Sequence, residues 1–182
     1  MMFIHQSKYY KKGFTLIELL VTIAIVGIVA GFGIPSFTQT IKSNRLTTNA
    51  NQLITSLNFA RSEAIKRGVK LYVRRKGATA KNWDSGWDVF IDLNTNQIYN
   101  AGTDTLLKTY PPLTNGYTLR TGANYNNWVA FSPTGLTSGS GGLANDSFRV
   151  CATAGDLTNS RKISINVVGR ARVSTGDVAS CP

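Results

Sequence analysis

The chain has 182 residues, with 20 Lys and Arg against 9 Asp and Glu and a formal charge of +11. Apolar residues make up 42% and charged residues 16%, which excludes a disordered, self-repelling polymer and fits one domain with an appendage. The only histidine is His5 and the only cysteines are Cys151 and Cys181. If the first dozen residues are removed, Ser–His and Cys–His nucleophile pairs and His-bearing zinc sites drop out.

Residues 1–13, MMFIHQSKYYKKG, carry Lys8, Lys11 and Lys12 and no acid. Residues 14–37 follow with a single charge, Glu18. As a helix these 24 residues span roughly 36 Å, enough for a bilayer core of about 30 Å. Basic residues before the span and a long polar segment after it place the N-terminus in the cytoplasm. The run exceeds the roughly 7–15 apolar residues of a secretory signal, so a retained anchor is predicted rather than a cleaved one. Glu18 is costly in an apolar span, up to about 3 kcal/mol at the bilayer centre. Either it reaches water at the headgroups, or it meets a cation on a neighbouring chain. Gly27 and Gly31 form a GxxxG spacing that suits close helix packing but also arises by chance.

Beyond Pro35, Leu46, Ala50, Leu53, Leu57, Ala60 and Ala64 recur at spacings of four and three, one face of an amphipathic helix over 38–67. The opposite face is expected to carry Arg45, Asn49, Ser56, Arg61 and Glu63. Arg67-Gly68 reads as the helix end. A sheet should cover the Leu46, Leu53 and Leu57 face.

Residues 68–182 read as short strands. Val69–Val73, Trp87–Asp92 and Arg161–Val167 alternate, and Tyr117–Arg120, Trp128–Ser132 and Phe148–Ala152 are weaker candidates. Asp84-Ser-Gly86, Pro111-Pro112, Asn115-Gly116 and Pro133-Thr-Gly135 mark turns, and Thr137–Asn145 reads as a flexible loop. The class is α+β, a helix against one or two antiparallel sheets.

The segment Lys11-Lys12-Gly13-Phe14-Thr15-Leu16-Ile17-Glu18 resembles the class III signal of type IV pilins and type II secretion pseudopilins. Leu57–Arg67, Trp83–Asp92 and the end of the chain from Val167 resemble the FimT/GspH branch of that superfamily. The resemblance implies a pilin-like fold, with a long N-terminal helix packed on an antiparallel β head and Pro35 as the helix-bending proline. It implies cleavage between Gly13 and Phe14 by prepilin peptidase, N-methylation of Phe14, and Glu18 facing the Phe14 amine of a neighbouring subunit. Two opposite charges in an apolar bundle attract strongly, and each is costly alone. The implied division is a leader 1–13, a transmembrane and assembly helix 14–37, an amphipathic helix 38–67 and a periplasmic head 68–182. The implied role is a subunit at the tip of a type IV pilus or secretion pseudopilus, anchored in the inner membrane among other pilins or pseudopilins. No cofactor and no enzymatic activity go with it.

Cys151 and Cys181 would meet an oxidising compartment under that orientation. They form either a disulfide closing a loop of about 30 residues, worth roughly 3–4 kcal/mol on the chain-entropy model, or two free thiols.

Positive charge is uneven. Between Arg61 and Lys81 stand Lys66, Arg67, Lys70, Arg74, Arg75 and Lys76 against one acid, Glu63; Arg161, Lys162, Arg170 and Arg172 form a second group. Such clusters suit phosphate backbones, anionic headgroups or an acidic partner subunit. Arg170 and Arg172, at i and i+2, share one side of an extended strand. Gly169-Arg170-Ala171-Arg172 resembles the GRxR motif of FimT-type minor pilins, which implies sequence-independent binding of double-stranded DNA during natural transformation. Arg74, Arg75 and Lys76 are further candidates for that role. Asp92-Leu-Asn94-Thr-Asn96 opens like a calcium loop, but Gln97 and Thr103 occupy the positions that need Gly and Glu. An Asn-rich turn is expected there, with no metal.

Overall fold

A computed structural model describes residues 13–114, 116–152 and 159–176. Its one helix among those residues, α1, runs from Leu16 to Arg67. The chain divides into two compact units, residues 1–41 and 42–182.

In the first unit α1 starts on a local cap. The Thr15 hydroxyl accepts from the Glu18 amide at 3.2 Å, and Glu18 places a carboxylate in the first turn, where the helix dipole favours it. Large apolar residues follow with nothing buried against them: Phe14, Phe32 and Phe37 are 83%, 81% and 68% exposed. This stretch is long and apolar enough to cross a membrane. Pro35 lies inside the helix. The Thr38 hydroxyl donates to the Pro35 carbonyl at 2.8 Å, a partner within its own turn.

In the second unit the same helix is amphipathic, and Leu46, Ala50, Leu53, Leu57, Ala60 and Ala64 are buried as their spacing predicts. Ser56 departs from expectation. It is fully buried, because its hydroxyl accepts from the Trp87 indole N–H at 2.9 Å and donates to the Leu53 carbonyl at 2.7 Å. Two satisfied hydrogen bonds let a polar residue share the core face. The helix ends at Gly68, whose φ of +67° closes the last turn with Val69 N–H donating to the Ala64 carbonyl.

Nine strands follow among the described residues: β1 (Leu71–Arg75), β2 (Trp87–Ile91), β3 (Thr105–Tyr110), β4 (Tyr117–Thr121), β5 (Trp128–Phe131), β6 (Thr137–Gly139), β7 (Asp146–Ala152), β8 (Arg161–Ile165) and β9 (Ala171–Thr175). They form two antiparallel sheets, ordered β3-β2-β1-β5-β6 and β4-β7-β8-β9. Leu46, Leu53 and Leu57 of α1 share one core with Val73, Trp87 and Phe131 of the first sheet and Leu119, Phe148 and Ile163 of the second. The helix is thus covered by both sheets, as its apolar face requires.

The strands differ from the sequence reading in three places. The first strand is Leu71–Arg75 rather than Val69–Val73, because Gly68 and Val69 are used in the helix cap. Thr105–Tyr110 pairs as an edge strand although it is mostly exposed and lacks an apolar alternation. Part of the expected flexible loop, Thr137–Gly139, pairs with β5 through Val129↔Gly139 and Phe131↔Thr137.

Candidate functional site

Two regions carry the candidate chemistry. At the N-terminus, Gly13, Phe14 and Glu18 are all exposed. The exposed helix beyond them offers apolar side chains on every side, which is what a bundle of identical or related helices would cover.

The second region is the positive charge of the head, where the structure separates residues that the sequence grouped. Arg75 ends β1 and is committed to its own loop. Its guanidinium donates to Asn127 Oδ1 at 2.7 Å, to the Gly77 carbonyl at 2.7 Å and to the Ala78 carbonyl at 3.2 Å. Burial holds its pKa below the usual arginine value. Arg74 donates to the Gln97 carbonyl at 2.8 Å, and its pKa is lowered by burial and then by the neighbouring Arg75. Lys76 lies 3.2 Å from Asp88 Oδ1 and donates to the Thr109 hydroxyl. A hollow of about 260 Å³ is lined by these three cations and by Asp88. An anion entering it would meet a carboxylate, two arginines already holding carbonyls and a lysine already paired with Asp88.

Arg170 and Arg172 are placed differently. The hairpin between β8 and β9 is tied by Gly169 N–H to the Asn166 carbonyl at 2.9 Å and by Arg170 N–H to Asn166 Oδ1 at 2.9 Å. Gly169 is buried at φ +76°, and a Cβ there would sit 2.5 Å from the Gly135 carbonyl oxygen. It sets the turn and leaves the arginines to face outward. Both are exposed, and they line a shallow hollow of about 390 Å³ with Asn145, Ser164 and Asn166.

Register shows what else shares that face. Arg172 stands opposite Ser164, and Ser164 opposite Ser147. One step along, Arg120 of β4 stands opposite Arg149 of β7, Arg149 opposite Lys162 of β8, and Lys162 opposite Ser174 of β9. Directly opposed residues point to the same side of a sheet. Their chain neighbours Leu119, Phe148, Val150 and Ile163 point to the core, so the cations are on the outer side. Arg120 pairs with Asp84. Arg149 Nε is buried without a hydrogen-bond partner. The sequence shows Arg120 and Arg149 only as isolated polar residues between apolar ones, and nothing in it reports their register.

Cys151 is buried near the end of β7, opposite Thr118; Cys181 lies outside the described residues. The Asp92 turn is held internally: Asp92 Oδ2 accepts from Gln97 N–H at 2.7 Å, and Asn96 Oδ1 from Ile98 N–H at 2.8 Å. No cluster of three His, Cys, Asp or Glu side chains is gathered among the described residues.

Comparison with known proteins now decides the family. The family model described as type II transport protein GspH matches residues 49–169. The chain belongs to the GspH family. A prokaryotic N-terminal methylation motif matches residues 8–34, which covers the Gly13-Phe14 junction and Glu18. This GspH-family chain is 35% identical over 98 residues to the pilin-like protein PilA1 of Thermus thermophilus, covering 52% of this chain and 56% of that one. It is 35% identical over 79 residues to a fimbrial protein of Pseudomonas aeruginosa, covering 43% and 47%. The chain thus spans about half the length of the curated relatives it matches. The fold resembles the type IV minor pilin FimU of Pseudomonas aeruginosa, with a TM-score of 0.61 and 20% identity over 80% of this chain and 99% of that one. A second crystal form of FimU gives a TM-score of 0.58, covering 75% of this chain and 100% of that one. GspH-family chains are pilin and pseudopilin subunits, structural proteins rather than enzymes.

Proposed function

We propose that this chain is a minor pilin or pseudopilin that enters the tip of a type IV pilus or a type II secretion pseudopilus. The observation that carries the reading is the fully exposed apolar half of α1 directly after the methylation motif. Prepilin peptidase cuts between Gly13 and Phe14 on the cytoplasmic side, and Phe14 is then N-methylated. The helix holds the subunit in the inner membrane with the head in the periplasm, until other pilins replace lipid around the apolar surface. Glu18 meets the cationic amine at Phe14 of a neighbouring subunit, which offsets the cost of burying either charge alone. In the periplasm Cys151 and Cys181 pair and tie the tail to β7. The test is Glu18→Ala. The expected result is a processed protein that stays in the membrane and is absent from sheared filaments. Normal incorporation of the variant into filaments would count against the reading.

A second reading is favoured by the exposed Arg170 and Arg172 beside the hollow at the β8–β9 hairpin. On it, the head also binds double-stranded DNA without sequence preference during uptake. Loss of transformation with filaments intact is the expected phenotype of Arg170→Ala/Arg172→Ala. Unchanged transformation would remove this reading and leave the first untouched.

A further inference from the structure

We propose that the last turns of α1, with the β5–β6 and β8–β9 turns packed beside them, form a docking surface for the head of a different pilin subunit, one that presents apolar side chains inside an acidic rim. This inference rests on the filament reading and names the surface by which one partner is held. The two turns come from different sheets and meet at their glycines. A Cβ on Gly169 would sit 2.5 Å from the Gly135 carbonyl oxygen, and one on Gly135 would sit 3.0 Å from Ile65 Cδ1. Arg61 Nε donates to the Gly135 carbonyl at 3.2 Å, and Thr137 N–H donates to the Val167 carbonyl at 3.0 Å. Both glycines are buried, but the apolar side chains around them are not. Ile65, Leu136, Val167 and Val168 are each about half exposed. Helix and both sheets thus contribute to one apolar patch that faces water.

Turn chemistry does not call for these side chains. Val167 and Val168 hold the two central positions of the turn closed by Gly169 N–H on the Asn166 carbonyl, where Gly, Pro, Asn, Asp and Ser are usual. Two β-branched residues there gain little burial and keep apolar area in water. A break with local preference is expected where function asks for it, and contiguous exposed apolar side chains mark interaction sites. Charge then selects the partner. Lys66, Arg67 and Arg170 border the patch and are exposed, while Glu63 pairs with Lys66 and Arg67 alike. The border is therefore net positive. A second copy meeting this patch with its own would set like charges against each other, whereas an acidic rim would answer them. The apolar centre offers no donors to phosphate, so a nucleic acid is not its ligand.

The experiment uses the full chain in cells that assemble the filament, and it reads the amount of protein in sheared filaments. Val167→Ser/Val168→Asn replaces the apolar turn with residues that turns favour. Lys66→Glu reverses one border charge at an exposed helix position, where folding is not at risk. Val168→p-benzoylphenylalanine places a photocrosslinker on the patch. The expected result is that both variants are processed and keep the thermal stability of the wild type. Filament content should fall by about tenfold or more for the turn variant and by about threefold for Lys66→Glu. The crosslink should join the chain to a different subunit, identified by mass spectrometry, that carries its own N-terminal methylation motif and a net acidic head. If the wild type enters filaments and either variant enters them equally, the inference is overturned and the filament reading stands. A crosslink to a second copy, or to lipid alone, also overturns it. If the wild type itself is absent from filaments, the filament reading fails and the inference fails with it.

Discussion

Arg149 of β7 stands directly opposite Arg120 of β4, and only Arg120 has a carboxylate, Asp84, to answer its charge. Like charges directly opposed in a sheet are destabilising. Arg149→Thr should therefore raise thermal stability, by about 0.5 kcal/mol, since it removes a like-charge pair and adds a β-branched residue. A calorimetric scan that shows Arg149→Thr less stable than wild type would mean the pair is not repulsive in place.

Arg75 offers the opposite case. Its guanidinium ties residues 77, 78 and 127 together, so its loss leaves the part-buried Asn126 carbonyl and Asn127 Oδ1 without this donor. Arg75→Ala should cost about 2–3 kcal/mol of stability and leave the salt dependence of duplex binding nearly unchanged. Urea unfolding and a salt series of duplex binding measure the two halves. A large fall in the salt slope without a fall in stability would return Arg75 to the binding surface.

Ser56→Ala tests a buried hydrogen bond between α1 and the first sheet. It leaves the Trp87 indole N–H without its acceptor inside the core, at a cost of about 1–3 kcal/mol. Equilibrium unfolding followed by tryptophan fluorescence should show a lower midpoint with an unchanged slope. An unshifted midpoint would show that the indole finds another acceptor.

Much of this fold was legible in the chain. The spacing of Leu46, Ala50, Leu53 and Leu57 marked the buried face of α1, and the Gly13-Phe14…Glu18 pattern marked the N-terminal methylation motif, because both are local signals. Ser56 was misplaced because its polarity outweighed its position, and only the Trp87 indole makes that position suitable for a hydroxyl. Arg74, Arg75 and Lys76 looked like a binding patch because sequence shows charge but not the carbonyls and Asp88 that occupy it. Arg120 and Arg149 were passed over for the converse reason: strands 29 residues apart acquire a shared face only through register.

Alkaline pH gives a further check. Burial raises the Tyr125 hydroxyl to about 12, above an unfolded value near 10, while the hydroxyl donates to the Ala144 carbonyl. The stability this group contributes is complete below pH 10 and is lost as pH rises through 12. Tyr125→Phe should flatten that part of the stability profile. An unaltered decline in the variant would assign it to other groups.

The N-terminus of the mature protein is the most direct measurement. Intact mass and N-terminal peptide sequencing of the protein from its native membrane should show a chain that begins at Phe14 and carries one added methyl group. A chain that still begins at Met1, or one cut beyond the apolar helix, would contradict its role as a processed filament subunit.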